Sequence, residues 1–429
     1  MKTIDHISLI FFVLLFMGNI SETHSQGFYK DVFMDGGVKL TSLERLPSAD
    51  LLDLQIEHFA SSRYTSTFPP TRRDSLLQKG IYMGTPEDLN GVLLYPDGQP
   101  RFRMIYVNGG KATGHGRSLN VKGRDRIRSF VNSGGSYVGS CAGAYFSSSA
   151  IIRADTVKPK EPYLHLWPGA AHPTKLSHSH TGMFVEKDSP LLQYTTFGDD
   201  QYIDSIRHNG GCYAYTRELF PPETEVLLRY DFPEDINGHN IHKKISAWAY
   251  KPDRKTGRTV VIGSHPEKIT TGEQLDLMGA MLQYALDGQG TPIVKGVLKK
   301  GEKREMYQST LNNDPAYTMI GDKQYHHFKV EIPEGAKNIR VELKGANGYD
   351  LFLYLNNGDF AFKKEARYKD ISEGADKALI FPSLESGTWY LAVECNNTVT
   401  TQKTRWGVKY TGKTEVLNGV PYSLTINWE

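Results

Sequence analysis

The chain has 429 residues, of which 39% are hydrophobic and 23% charged, with a formal net charge of +2. This is the length of two or three ordinary domains and the composition of a folded globular protein, not of a disordered or fibrous one. So small a net charge gives no basis for a polyanion-binding surface or an acidic tail, and no nucleic-acid partner is expected.

In chain order, Lys2 precedes an apolar run from Ile7 to Met17, and polar residues Asn19 to Ser25 follow. Thr23 and Ser25 are small enough for the positions that a signal peptidase reads, and the apolar run is too short for a span. Residues 1–25 therefore read as a secretory signal peptide, with a periplasmic or secreted product and no membrane span after cleavage. An N-terminal anchor is the alternative, and no cysteine follows the run to suggest a lipoprotein. Only Cys141, Cys212 and Cys395 are present. An odd number in an oxidising compartment leaves at least one thiol free or paired with another molecule, and Cys141 is the natural candidate.

Tyr29 to Met34 reads as a strand. Leu46, Leu51, Leu52, Leu54 and Ile56 form a helical pattern with Ser48 as a possible N-cap. Residues 61–80 read as loop. Arg103–Val107 is a strand of buried type, closed by Asn108-Gly109-Gly110, and residues 111–122 are Gly-rich and polar. Arg124 to Asn132 is helical, with Ile127, Phe130 and Val131 on one face. Asn132 to Gly135 supplies the stop, and an apolar strand follows directly and runs into the turn at Cys141. Strand, helix, strand and helix in this order predict right-handed βαβ units and a parallel sheet, with chemistry at the carboxyl ends of the strands.

Residues 151–215 read as loop-rich. His178-Ser179-His180 has no further ligand at a recognised spacing, so these are surface histidines and no metal or cofactor is expected. Strands follow at Glu225–Tyr230, Ile245–Tyr250 and Thr259–Ile262, and a helix at Gly272–Leu286. The α/β domain is placed at 26–287, a linker at 288–314, and an all-β sandwich of short alternating strands at 315–429.

The chemistry centres on Gly139-Ser140-Cys141-Ala142-Gly143, the cysteine form of a nucleophile elbow. Glycines relieve crowding at such a turn, and the following helix N-terminus favours an anion. A thiol nucleophile needs a base, a group that orients the base, and oxyanion donors. His265 ends a strand at the same sheet edge, and Glu267 two residues on can fix its tautomer. Ala142 N–H and Gly109 or Gly110 can supply the donors. Asn108, Tyr145, Asn209 and Gly210 are candidate substrate contacts.

Together the Asn108-Gly109-Gly110 loop, the elbow, and His265 with Glu267 resemble the class I glutamine amidotransferase-like superfamily over residues 28–287. The Gly-Ser-Cys-Ala-Gly-Ala-Tyr-Phe wording with Asn209-Gly210-Gly211 is most similar to the domain at the N-terminus of some biotin–protein ligases. The resemblance implies a flavodoxin-like α/β fold, its mostly parallel sheet flanked by helices, with Cys141 as nucleophile, His265 as base and Glu267 as its orienter. Glutamine-using members carry Gln where this chain has Tyr145, which argues against free glutamine as substrate. No P-loop or biotin-ligase catalytic module accompanies the domain.

The C-terminal part resembles the bacterial pre-peptidase C-terminal domain through Asp350-Leu351-Phe352-Leu353-Tyr354, Gly387-Thr388-Trp389-Tyr390 and Tyr422-Ser423-Leu424. That resemblance implies targeting, contact with a polymer or cell surface, or passive accompaniment.

The expected activity is a cysteine-dependent amide hydrolase or acyl transferase acting through an acyl-thioester on a small-molecule or peptide-like amide. The alternatives are a non-catalytic binder of a small ligand on the same fold, and a glutaminase-type amidotransferase with an unseen partner.

Overall fold

A computed structural model describes residues 27–35, 46–59, 89–217, 219–236, 238–312, 314–404 and 407–429. The expected signal peptide and the expected loop at 61–80 lie outside these residues. Among them, no helix is long and apolar enough to cross a membrane.

The first unit is built on one 13-stranded sheet. Its strands are β1 (Lys30–Asp35), β2 (Ile56–Phe59), β3 (Phe102–Val107), β4 (Ser136–Ser140), β5 (Ser148–Arg153), β6 (Thr156–Pro159), β7 (Trp167–Pro173), β8 (Ser179–Val185), β9 (Tyr202–His208), β10 (Cys212–Ala214), β11 (Thr224–Asp231), β12 (Ile245–Tyr250) and β13 (Thr259–Ile262). The order β2-β1-β3-β4-β13 is parallel throughout. Beyond β13 the sheet turns antiparallel, apart from the pair β5 and β7. The sheet is therefore mixed, not mostly parallel. The segment 151–215, expected to be loop-rich, supplies most of that extension.

Alternation along the parallel strands sends side chains to two cores. Phe33, Ile105, Val107 and Tyr137 face Ile127, Phe130 and Val131 of helix α2 (Ala112–Asn132), which follows helix α1 (Pro47–Leu51) in the chain. Val32, Met34, Met104, Tyr106, Val138, Val260 and Ile262 face Leu277, Met281 and Ala285 of the last helix of the unit, with Leu46 and Ala49 around α1. That last helix, α4 (Glu273–Asp287), comes after the short α3 (Ala142–Ser147). Helices thus cover both faces of the parallel strands, but they are few.

Two local expectations change. Residues 112–123 are helical, joined to the next stretch across a kink at Asn120, where φ is 53°. Ser48 is not an N-cap: it lies inside α1, and its hydroxyl donates to Leu275 O at 3.0 Å, tying α1 to α4. The helical pattern also stops at Leu51, and Ile56 begins β2.

The second unit is two facing sheets. Strands Val294–Val297, Tyr325–Ile332, Gly387–Cys395, Leu351–Asn357 and Tyr368–Asp370 form one; Arg304–Met306, Tyr422–Asn427, Lys337–Gly345 and Lys377–Ser383 form the other. Leu351, Leu353, Leu355, Leu391 and Val393 meet Val341, Leu343, Leu424 and Ile426 between them. The segment 288–314, expected as a linker, contributes the first strand of each sheet, because Val294 pairs with His327 and Arg304 with Leu424.

Candidate active site

Val107 lies opposite Gly139 and Ile262 opposite Ser140 in the parallel register, so β3, β4 and β13 end at one edge of the sheet. Three segments leave there: Asn108-Gly109-Gly110 from β3, Cys141 from β4, and Gly263 to Glu267 from β13. Residues far apart in sequence meet because strand ends in a parallel sheet coincide.

Cys141 has φ 47° and ψ −102°, a backbone conformation that non-glycine residues avoid and that surrounding structure must enforce. The enforcement is visible. Its N–H donates to Ile262 O at 2.8 Å, and its carbonyl accepts the Tyr145 N–H at 3.1 Å. The Tyr137 hydroxyl donates to Gly143 O at 2.8 Å. A Cβ on Gly143 would lie 2.1 Å from Val107 O, so α3 packs directly on the β3 backbone. At six residues α3 offers its first N–H groups and not a long helix dipole.

The His265 backbone N–H donates to Arg207 O at 2.9 Å, and its Nδ1 lies 2.9 Å from Glu267 Oε1. This bond places the Nδ1 proton towards the carboxylate and leaves Nε2 for the thiol side. Glu267 is 4% exposed, and its other oxygen, Oε2, has no hydrogen-bond partner among the described residues. A Cβ on Gly109 would sit 2.3 Å from His265 Cε1, so the loop after β3 lies against the imidazole edge. Burial is the largest single influence on His265 and lowers its pKa. Side-chain hydrogen bonds with Cys141 and Glu267, and the negative charge of both, outweigh it and raise the pKa to about 10.

Beneath the site, His208 is buried between Thr174 Oγ1 at 2.7 Å and Ser264 Oγ at 2.8 Å. Burial, with the charge of His265 adding to it, lowers its pKa to about 3, so this imidazole is neutral. All three cysteines are unpaired and buried.

A cleft of about 350 Å³ opens over these groups. Asn108, Gly109, Gly110, Cys141, Asn209, His265 and Glu267 line it, joined by Arg207, Lys268 and Ile269, which the sequence reading did not single out. Ala142 lies in a small adjoining recess with Gly109 and Gly110. Asn209 O accepts from Cys141 Sγ at 3.7 Å, and Asn209 Oδ1 accepts the His178 N–H at 3.2 Å. Tyr145 and Gly210 are not among the cleft residues. The Tyr145 hydroxyl donates to Gly211 O at 2.8 Å, clamping the turn that presents Asn209. Among the described residues no group of side chains could hold a metal ion. Arg207 had one legible signal: it is the last outward residue of an alternating strand, just before the Asn209 turn.

No curated protein matches the chain. Among solved structures, a glutamine amidotransferase is 19% identical with a TM-score of 0.28, covering 43% of this chain and 80% of that one. The pre-peptidase C-terminal domain of the collagenase of Bacillus anthracis is 15% identical with a TM-score of 0.20, covering 32% of this chain and all of that one. The family model described as biotin-protein ligase, N terminal, matches residues 98–281, a span that holds every residue of the cleft.

Proposed function

We propose that this protein is an exported cysteine-dependent amide hydrolase or acyl transferase. One observation carries the reading: a single imidazole joins the thiol of a strained elbow to a buried carboxylate at the floor of a cleft. A protein that only holds a ligand has no use for that relay.

In the proposed reaction the thiol proton already rests on His265 Nε2, and Cys141 Sγ attacks the amide carbonyl from the resulting thiolate–imidazolium pair. The carbonyl oxygen gains charge beside the N–H groups of Ala142 and of Gly109 or Gly110. The carbon–nitrogen bond breaks, and His265 returns the proton to the departing amine. Water or a second amine then attacks the acyl-thioester, its proton taken by His265, and Cys141 is released. Glu267 keeps the imidazole oriented throughout and stabilises its charged form. The fixed position of Tyr145, committed to the Gly211 carbonyl, supports a substrate other than free glutamine.

The test is labelling with a panel of amide and γ-glutamyl electrophiles, located by peptide mass spectrometry. The expected adduct is on Cys141, lost in Cys141→Ser and strongly reduced in His265→Gln. Labelling of Cys141 no faster than of the buried Cys212 and Cys395 would remove the basis for this function.

A further inference from the structure

Three consecutive residues at the end of β9, none of them used by the proposed reaction, reach both Cys141 and His265. Arg207 O accepts the His265 N–H at 2.9 Å, and Asn209 O stands 3.7 Å from Cys141 Sγ. Between them His208 is fully buried, with Thr174 Oγ1 at 2.7 Å and Ser264 Oγ at 2.8 Å from its two ring nitrogens. The partners fix the direction of these bonds. Thr174 Oγ1 lies 3.0 Å from Gly211 O, which can only accept, so the hydroxyl hydrogen goes there. Oγ1 then accepts from His208 Nε2–H, and Nδ1 accepts from the Ser264 hydroxyl. Burial keeps the ring neutral, so this tautomer persists. The ring is also enclosed: a Cβ on Gly211 would lie 2.6 Å from its Cε1, and Tyr230 meets it edge-on with centroids 5.4 Å apart. Among the described residues β9 pairs with β8 alone, so no strand pairing sets the distance from its end to the end of β13.

Resting on the proposed thiol chemistry, we infer that His208 is a positioning residue for the site: through Ser264 it sets where the His265 imidazole stands, and through Asn209 how close a carbonyl comes to the thiol. Ser264 directly precedes His265. A hydrogen bond on its side chain, added to the one on the His265 N–H, holds two successive residues and leaves the imidazole only its own side-chain torsions, which Glu267 restrains. A ring so held stays within reach of Cys141 and Glu267 together, the two groups that keep it protonated. A drift of about 1 Å would weaken both contacts, and displacements of that size are costly in rate. His208 acts through its neighbours and not on the reacting atoms.

Two amides copy one half of His208 each. The amide of a glutamine falls where Nε2 is and keeps the bond to Thr174; that of an asparagine falls where Nδ1 is and keeps the bond from Ser264. His208→Gln should therefore lower the His265 midpoint, read by NMR from its ring protons, from about 10 towards 6.5. It should also slow iodoacetamide alkylation of Cys141 about tenfold at neutral pH. His208→Asn leaves the larger cavity, yet should keep most of both. Ser264→Ala removes one hydroxyl and should reproduce His208→Gln, and combining the two should add little to either, as groups in one chain of contacts are not additive. A histidine that merely fills space gives the opposite order, with asparagine the more damaging and the His265 midpoint unmoved in the folded fraction. That result overturns the positioning role and leaves the nucleophile in place. Wild-type Cys141 that iodoacetamide does not reach overturns the thiol chemistry and the positioning role together.

Discussion

His265 is pulled two ways, and the outcome fixes a sign. Burial alone disfavours the imidazolium, yet Cys141 and Glu267 together raise its pKa from the ordinary 6.5 to about 10. A histidine with a raised folded pKa binds its proton more tightly folded than unfolded. Its contribution to stability is complete below about 6.5 and is lost as pH climbs through about 10. Glu267→Gln and Cys141→Ala each remove one support, so each should lower the His265 midpoint in an NMR titration of its ring protons. Each should also flatten the loss of thermal stability across that alkaline range. A midpoint that stays put in both variants would mean that neither group holds the proton. The same imidazole limits its neighbour. Gly109→Ala would drive a methyl into His265 Cε1, 2.3 Å away. Electrophile labelling of Cys141 is expected to fall about tenfold or more, since small displacements of catalytic groups cost heavily. The position lies in a loop, so the melting temperature should barely move. Wild-type labelling in Gly109→Ala would show that the ring has room to spare.

At the scale of elements, the elbow is a contact between α3 and β3 as much as a turn. Gly143 permits it, with Val107 O only 2.1 Å from the place its Cβ would occupy. Backbone cannot retreat as a flexible side chain can, so Gly143→Ala should destabilise the protein by about 1–3 kcal/mol, measured by denaturant unfolding. An unchanged midpoint would mean that α3 can lift off the sheet. This contact also explains which parts of the fold were readable beforehand. Strands β3, β4 and β13, the glycine loop and the elbow were legible because apolar runs ending in Gly or Asn have few other readings. The helix over 112–123 was not. Gly114, Gly116 and Gly123 weaken it as an isolated helix, but a Cβ on Gly116 would meet Pro162 O at 1.8 Å, so close tertiary packing overrides propensity. The strands within 151–215 were hidden for a related reason. They carry His, Pro, Gly and Ser among their apolar residues, and owe their existence to partners distant in the chain, such as Cys212 opposite Pro173. That Cys141, His265 and Glu267 meet at one edge of the sheet could be expected from sequence, because each follows a strand end. Lys268 could not, because an exposed cation looks the same whether it lines a cleft or faces bulk water, and the one signal at Arg207, its place on an alternating strand, was hidden in a segment read as loop.

Across the whole molecule, the two units share one continuous apolar core and a set of buried charges. Acid should find that weakness first. Burial lowers the pKa of His208 and His327 to about 3 each, and that of His326 well below its ordinary value. Unfolding frees all three to take up protons below about 6.5, so stability should fall as pH drops from there towards 3. His208→Gln should flatten that slope in a series of thermal melts, and an unchanged slope would place the acid sensitivity elsewhere. The junction itself rests on Arg101, just ahead of β3. Its Nε and Nη2 reach Asp322 Oδ1 and Oδ2 at 3.1 and 2.9 Å, and Nη1 donates to Val92 O at 2.8 Å. Both side chains are almost completely buried. Asp97, Lys295 and Gln324 form a second buried group beside them, and the Tyr410 hydroxyl reaches back to Glu57 on β2. Removing one member of such a pair strands the other in a low-dielectric interior, at a cost of about 3–5 kcal/mol. Asp322→Ala should therefore split a single calorimetric transition into two, as the α/β unit and the sandwich lose the contact that makes them unfold together. Replacing both partners, Arg101→Met with Asp322→Leu, leaves no orphaned charge and should restore much of the loss. If Asp322→Ala still melts in one transition at the wild-type temperature, the apolar contacts alone couple the units and the ion pair only fixes their orientation.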